Sequence, residues 1–330
     1  MSKNFWQKLP KPFFALAPMA DVTDAAFRHV VAKYGKPDVL WTEFVACDGL
    51  QSIGREHLMH NLNYAEEERP IVAQVFGAHP GNFEKTAKFI KELGFDGIDI
   101  NMGCPERNIQ KQGAGASLIK TPGLAQEIIL ATMKGAGGMP VSVKTRIGYN
   151  KNELETWLPA LLETKPAALT LHARTKKEMS DVPARWEHIA RAVEIRDEMK
   201  SETLIIGNGD IKTLEEGRQK AKETGCEGIM IGRGIFGNPW LFSGRKDEPT
   251  REEKFAVLLE HTYLFEELFG ENPFGKLRVK NFAIMKKHYK AYIEGFPGAK
   301  ELRMKLMEAE NGREAESILK TFSLGRRTSK

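Results

Sequence analysis

Cys104 stands between a glycine and a proline in the stretch IDINMGCPERNIQKQGAGASL, residues 98–118. The stretch opens as an apolar, strand-like run and closes in a glycine-rich loop, so the thiol is delivered at the end of a strand. A thiol with a pKa near about 8.5 stays protonated at neutral pH yet gives up its proton readily, which suits general-acid work. A lone cysteine can equally be a small apolar filler. The other two cysteines, Cys47 and Cys226, are far away in the chain and read as structural. Three cysteines with no Cys-x-x-Cys pair argue against a disulfide framework and a thiolate zinc site, so no metal is expected.

The same kind of placement recurs along the chain. Pro18, Met19 and Ala20 end the first apolar run, Glu43 lies in the second and Gln74 in the third. Asn101 precedes Cys104, Lys144 and Arg146 lie in the fifth run, and His172 and Arg174 in the sixth. The last two runs end in Asn208-Gly209-Asp210 and Gly232-Arg233-Gly234. One polar side chain in a buried strand is usually a structural residue with a local partner. A polar group at the same end of nearly every run is costly to bury, and one shared ligand is the simpler explanation. The glycines of the last two runs free backbone N–H groups for an anion such as phosphate.

The elements that must position these residues follow from periodicity. Eight apolar runs, 13–20, 39–45, 71–77, 97–103, 141–148, 168–174, 203–210 and 228–234, alternate with helical patterns. Near-continuous apolar strands between helices imply a parallel sheet covered on both faces. Eight such units predict an α/β fold, a (β/α)8 TIM barrel, whose active site lies at the C-terminal strand ends. A doubly wound sheet is the alternative, weakened because no Gly-x-Gly-x-x-Gly follows the first strand. Past residue 243 the strand pattern stops, and three or four amphipathic helices predict a small C-terminal all-α domain over 244–330 after a barrel over 1–243.

Charge is uneven. Residues 276–305 hold nine basic and two acidic side chains, against a net charge of only +5 for the whole chain. That segment is either a solvated helical face or a surface for a polyanion. The N-terminus lacks a basic region followed by a long apolar core, and no run of about 18 apolar residues occurs. The expectation is therefore a cytoplasmic protein without signal peptide or membrane span, and a monomer by default.

Taken together, APMADVTDAAFR (17–28), QVFG (74–77), NMGCP (101–105), KQGAGASL (111–118), VKTRIG (143–148), HART (172–175), GNGD (207–210) and GRGIFGNPWLF (232–242) resemble the tRNA-dihydrouridine synthases, FMN-dependent enzymes that reduce uridine in tRNA. The tail at 286–310 looks like that family's helical RNA-binding domain. One departure is Ala173, where the family's motif has a glycine. The resemblance implies that Pro18, Met19 and Ala20 pack beside the flavin ring and that Gln74 and Lys144 bond its polar edge. It places His172 near the ring or ribityl chain, and Asn208, Gly209, Asp210, Gly232 and Arg233 at the phosphate. It implies NADPH or NADH as a transient electron donor and tRNA as the substrate.

Reducing the C5–C6 bond of uracil needs a hydride at C6 and a proton at C5. Cys104 is read as the proton donor. Asn101, Arg146, Lys111 and Arg174 are read as contacts to the substrate, and Tyr289 and Tyr292 as gripping tRNA phosphates among the tail's lysines. Three other readings stay open on the residues alone. A dihydroorotate-type flavin barrel would take a small pyrimidine, an aldolase barrel would use Lys144 as a Schiff base, and a non-catalytic RNA-binding protein would need neither.

Overall fold

The computed structural model describes residues 4–270 and 279–325. Its contacts divide the chain into two compact units, one joining Met1–Ala20 to Pro37–Gly234 and the other joining Asp21–Lys36 to Ile235–Lys330. The division falls at 234/235 rather than 243/244, and the segment 21–36 groups with the helical unit.

In the first unit, nine strands among the described residues form one parallel sheet. They are β1 (Phe13–Leu16), β2 (Leu40–Trp41), β3 (Val45–Ala46), β4 (Ile71–Phe76), β5 (Gly97–Met102), β6 (Val141–Arg146), β7 (Ala168–His172), β8 (Leu204–Asn208) and β9 (Gly228–Ile231). The order is β1-β9-β8-β7-β6-β5-β4-β2, with β3 also on β4. A parallel bridge between Ala15 and Val39 brings β1 to the segment before β2, so the sheet nearly closes. β2 and β3 share one barrel position, which gives the expected eight. The single run expected at 39–45 is interrupted because the Thr42 hydroxyl, not a carbonyl, accepts the Gln74 amide at 3.1 Å.

Helices lie between the strands, as their punctuation demands. Counting from the chain's start, α1 (Ala25–Gly35) belongs to the other unit; α2 (Cys47–Leu50) is a single turn. Then come α3 (Pro80–Glu92), α4 (Arg107–Lys111), α5 (Pro122–Ala136), α6 (Leu154–Leu162), α7 (Glu187–Glu198) and α8 (Leu214–Thr224). α3 and α5 start with proline, whose missing N–H costs nothing there. α5 stops at Gly137, in the left-handed conformation, and α8 begins with a capping box from Thr213 and Glu216. α3 and α5 approach so closely that a β-carbon on Gly135 would lie 2.0 Å from the Glu84 carbonyl oxygen. Inside the barrel, Trp6, Phe13, Trp41, Val72, Ile206 and Met230 pack as one apolar plug. The lower barrel is thus filled by side chains, and polar groups are left for its C-terminal end.

The second unit is helical. It contains α1, α9 (Arg251–Phe269), α10 (Met285–Tyr292), α11 (Ala299–Leu306) and α12 (Gly312–Gly325). Its core gathers Val30, Leu258, Phe265, Phe269, Tyr289 and Leu302, among others. The Lys33 ammonium meets Glu260 at 2.6 Å and ties α1 to α9.

Two expectations for this region are corrected. Tyr289 and Tyr292 are fully buried, so they do not grip phosphates. They share with Met285 and His288 the apolar stripe of α10, while Lys287 and Lys290 face solvent. The basic segment is also less exposed than its sequence suggests. Lys280 is buried against the Phe269 ring with Asp21 at 3.7 Å, and Arg303 bonds the Ile293 carbonyl at 2.7 Å. Lys276 and Arg278 lie outside the described residues.

Candidate active site

A cavity of about 740 Å³ opens at the C-terminal ends of the strands. Parallel pairing sets its levels: Asn101 lies beside Lys144 across β5 and β6, and Arg146, His172 and Asn208 are successive partners across β6, β7 and β8. Side chains that alternate along each strand therefore reach one chamber from four strands.

Cys104 sits on the wall, half-buried. Its backbone is held from several sides. The Asn101 side-chain oxygen accepts the amides of Gly103 and Cys104 at 3.1 and 2.9 Å. The Cys104 carbonyl accepts the Ala116 amide at 3.0 Å. Gly115 has φ of +60°, and a β-carbon there would lie 2.9 Å from that carbonyl oxygen, so only glycine lets the chain fold back. The glycine-rich loop is thus packed in its second half, where residues 114–119 are buried. Burial pushes the Cys104 thiol above the ordinary thiol range despite a backbone hydrogen bond at Glu106 and the charges of Arg146 and Lys144. The thiol is therefore a proton-bearing acid at neutral pH.

The chamber is cationic. Lys144, Arg146, Arg174, Lys212 and Arg233 line it, with Asp210 as the one lining acid among the described residues. Burial, and then the nearby Arg146 charge, bring the Lys144 ammonium down to about 8. Lys144 donates to the Asn208 side-chain oxygen at 3.3 Å, and the Asn208 amide donates to the Met230 carbonyl at 2.8 Å. Arg146 is brought down to about 10, chiefly by burial. Its guanidinium bonds the carbonyls of Gly103, Thr175 and Met179 at 2.9, 3.1 and 3.1 Å, so it clamps two loops as well as lining the wall. Burial and the surrounding cations push the His172 pKa far down and keep the ring neutral. Its Nε2 accepts from Arg174 at 3.0 Å.

Asp210 has partners that the sequence does not show. A carboxylate cannot attract a phosphate. Here it accepts from Arg174, from Arg233 at 2.9 Å and from the Ala184 amide at 2.8 Å. Burial works against its charge, but the hydrogen bonds from Arg174 and the Ala184 amide and the charges of Arg174 and Arg233 together hold it below the usual carboxylate range. Asp210 thus orients Arg233, whose side chain is 62% exposed at the rim. Gly209 has φ of +137°, and a β-carbon there would meet Ala184 at 2.6 Å. Arg174 is occupied by Asp210, His172 and the Val182 carbonyl while still lining the wall.

Pro18, Met19, Gly232 and Arg233 reach the chamber, as do Asn208 and Gly209. Ala20 is exposed and does not line it, and neither does Lys111 on the exposed side of α4. Gln74 lies behind the wall. Its amide donates to Asp99 at 2.7 Å and its oxygen accepts from Asn101 at 3.0 Å. Glu43 is buried away from the chamber, whereas its neighbour Phe44 lines it.

Sequence reasoning missed Asp99, Phe44, Ser180 and Lys212. Asp99 had a signal, an acid inside the apolar run GIDINMG. Burial raises its pKa to about 6 against hydrogen bonds from Ser142 and Gln74 and the Lys144 charge. The chain Asp99–Gln74–Asn101 then orients the oxygen that holds the Cys104 amide.

Among solved structures, the barrel is similar to histamine dehydrogenase from Rhizobium sp. 4-9, with a TM-score of 0.54 and 11% identity over 80% of this chain and 51% of that one. It is similar to 6-hydroxypseudooxynicotine amine oxidase from Pseudomonas geniculata N1, with a TM-score of 0.53 and 13% identity over 70% of this chain and 46% of that one. The chain thus spans about half the length of each, and at such identities the likeness shows the fold alone. The sequence says more. A probable tRNA-dihydrouridine synthase of Staphylococcus aureus (strain COL) is 43% identical over 98% of this chain and 96% of that protein. A probable tRNA-dihydrouridine synthase 2 of Bacillus subtilis (strain 168) is 42% identical over 98% of this chain and 97% of that protein. The family description "Dihydrouridine synthase (Dus)" matches residues 15–324, a span that takes in every residue of the chamber, and the chain belongs to that family.

Proposed function

We propose that this chain reduces the C5–C6 bond of uridine in tRNA, with FMN as the bound cofactor and NADPH or NADH as the electron donor. One observation carries the chemistry: a thiol kept protonated by burial stands on the wall of a cationic chamber. The chamber's residues suit a flavin. Pro18, Met19 and Met230 offer an apolar wall to a flat ring. Lys144 offers a cation to the ring's electron-rich edge, and Arg233 with the Gly209 and Gly232 backbone offers a seat for a phosphate. When bound and reduced, flavin supplies the hydride for C6.

The chain's own residues do the rest. Cys104 gives its proton to C5, which is left electron-rich by hydride addition. Arg146 lies beside it as a fixed cation, placed to stabilise charge developing on the base. Asn101 holds the Cys104 backbone, and Gln74 with Asp99 holds Asn101, so the acid keeps its place through the cycle. Uracil must leave its stack to enter, a cost of a few kcal/mol for a loop base. Exposed lysines of the helical unit, Lys287, Lys290, Lys300 and Lys305, offer charge to the tRNA backbone.

The test is a visible spectrum of the purified chain, followed as NADPH bleaches it with and without unmodified tRNA. Flavin absorbance, its bleaching, and a reoxidation quickened by tRNA are expected. A flavin indifferent to tRNA would move the substrate to a small pyrimidine. Failure to bind FMN on reconstitution would overturn the cofactor assignment.

A further inference from the structure

Three loops that follow β5, β6 and β7 bring two cations to one aromatic ring. The Lys120 ammonium lies 4.5 Å from the centroid of Tyr149, and that of Lys176 lies 4.9 Å from it. Neither lysine has a carboxylate partner among the described residues. Each cation is drawn to the ring face, which orders the side chain and leaves its charge uncompensated. Two ordered, unneutralised cations side by side attract an anion that can face both.

This seat is wired to the acid. The Tyr149 hydroxyl donates to the Gln110 side-chain oxygen at 2.6 Å. The Gln110 amide in turn donates to the Pro105 carbonyl, one residue past Cys104. On the other side, the amides of Lys176 and Lys177 donate to the carbonyls of Gly148 and Tyr149, each at 2.9 Å. Arg146 joins the two sides, bonding Gly103 just before Cys104 and Thr175 just before Lys176 at 2.9 and 3.1 Å. The path from Lys176 to Cys104 is therefore a closed circuit of hydrogen bonds, and Lys120 joins it at the Tyr149 ring.

We propose that Lys120 and Lys176, ordered on Tyr149, form a phosphate seat for the RNA strand, and that Tyr149 is a positioning residue that ties this seat to the Cys104 loop through Gln110. The inference rests on the tRNA-reductase reading and deepens it. A base that enters the chamber brings its flanking phosphates to the rim. Anchoring one at a fixed distance from Cys104 aligns C5 with the thiol, and it does so without reading the base sequence.

The experiment uses the full chain and an unmodified tRNA transcript. Binding of Lys120→Gln/Lys176→Gln is measured over a salt series. The slope of log K against log[salt] is expected to shrink by about 1 for each lysine removed, with an unaltered melting midpoint as the fold control. An unchanged slope overturns the seat. Tyr149→Phe keeps the ring and removes the hydroxyl. It is expected to bind tRNA as tightly as the parent and to lose about tenfold in kcat at saturating tRNA. An unchanged kcat overturns the positioning role. A parent chain that binds tRNA and never forms dihydrouridine sinks the reductase reading, while the salt slopes still decide the seat.

Discussion

Two regions of this molecule mix lysine and tyrosine, and they use them in opposite ways. In α10, the run KKHYKAY looks like an aromatic-laced basic patch, yet Tyr289 and Tyr292 are wholly buried while Lys287 and Lys290 point to solvent. In the loops after β5, β6 and β7, Tyr149 stands alone in sequence, yet two lysines from distant segments meet on its ring. The lesson concerns periodicity. On a helix, residues i and i+3 share a face, so Tyr289 and Tyr292 face one way together and Lys287 and Lys290, also three apart, face another. Proximity in sequence separated them, and proximity in space assembled the seat at Tyr149.

Buried histidines divide along the same line. His172 lies in the chamber with Arg174 donating to it. His261 and His288 pack ring to ring at 4.5 Å in the helical core, with no hydrogen-bond partner among the described residues on any ring nitrogen. Burial keeps all three neutral, the first on the chamber wall and the pair as core.

The sharpest test of the barrel side is Cys104→Ala. Loss of a positioned general acid should lower tRNA reduction by about 10²–10⁴-fold while NADPH still bleaches the flavin, measured as two separate half-reactions. Equal loss in both would mean that the cysteine serves the cofactor and not the base.

On the helical side the matching change is Tyr289→Ala. Deleting a fully buried ring should cost about 3–5 kcal/mol in denaturant unfolding. The same truncation at Tyr149, which is half-buried, should cost under about 1 kcal/mol. Equal costs would erase the contrast between a core tyrosine and a surface one.

A pH titration separates the histidines of the core. Burial lowers the His288 pKa to about 3 and puts His261 well below its ordinary value. A histidine with a depressed folded pKa contributes stability above its unfolded value of about 6.5 and loses it as pH falls toward the folded value. Melting should therefore weaken from pH 6.5 toward 3, at no more than about 1.4 kcal/mol per pH unit for each ring. His261→Leu/His288→Leu should flatten that slope, and a slope left intact would place its source elsewhere.

A modest effect is expected at Gly115. Alanine there forces a left-handed residue, about 1–2 kcal/mol, against the Cys104 carbonyl. Turnover should fall more than stability, read as kcat beside the unfolding midpoint.

Strand count, barrel class and the ends where chemistry collects were legible in the sequence, because buried parallel strands must be apolar throughout and any polar residue in them stands out. Lys144, Arg146, His172 and Asn208 stand out that way and Cys104 by its glycine–proline frame, and all five line the chamber. What escaped was whatever depends on a partner far along the chain. That Arg174 and Arg233 lie on the oxygens of Asp210 is not written in the sequence, nor are Asp99 and Asn101 at the two ends of the Gln74 amide. The segment 21–36 follows the first strand in sequence, yet its apolar face groups with α9. Sequence by itself determined which residues are polar in an apolar strand and at what period they recur. Only the tertiary structure decided which satisfy one another and which are left for a ligand, because hydrogen bonds and charges act over a few ångströms of space and carry no memory of separation along the chain.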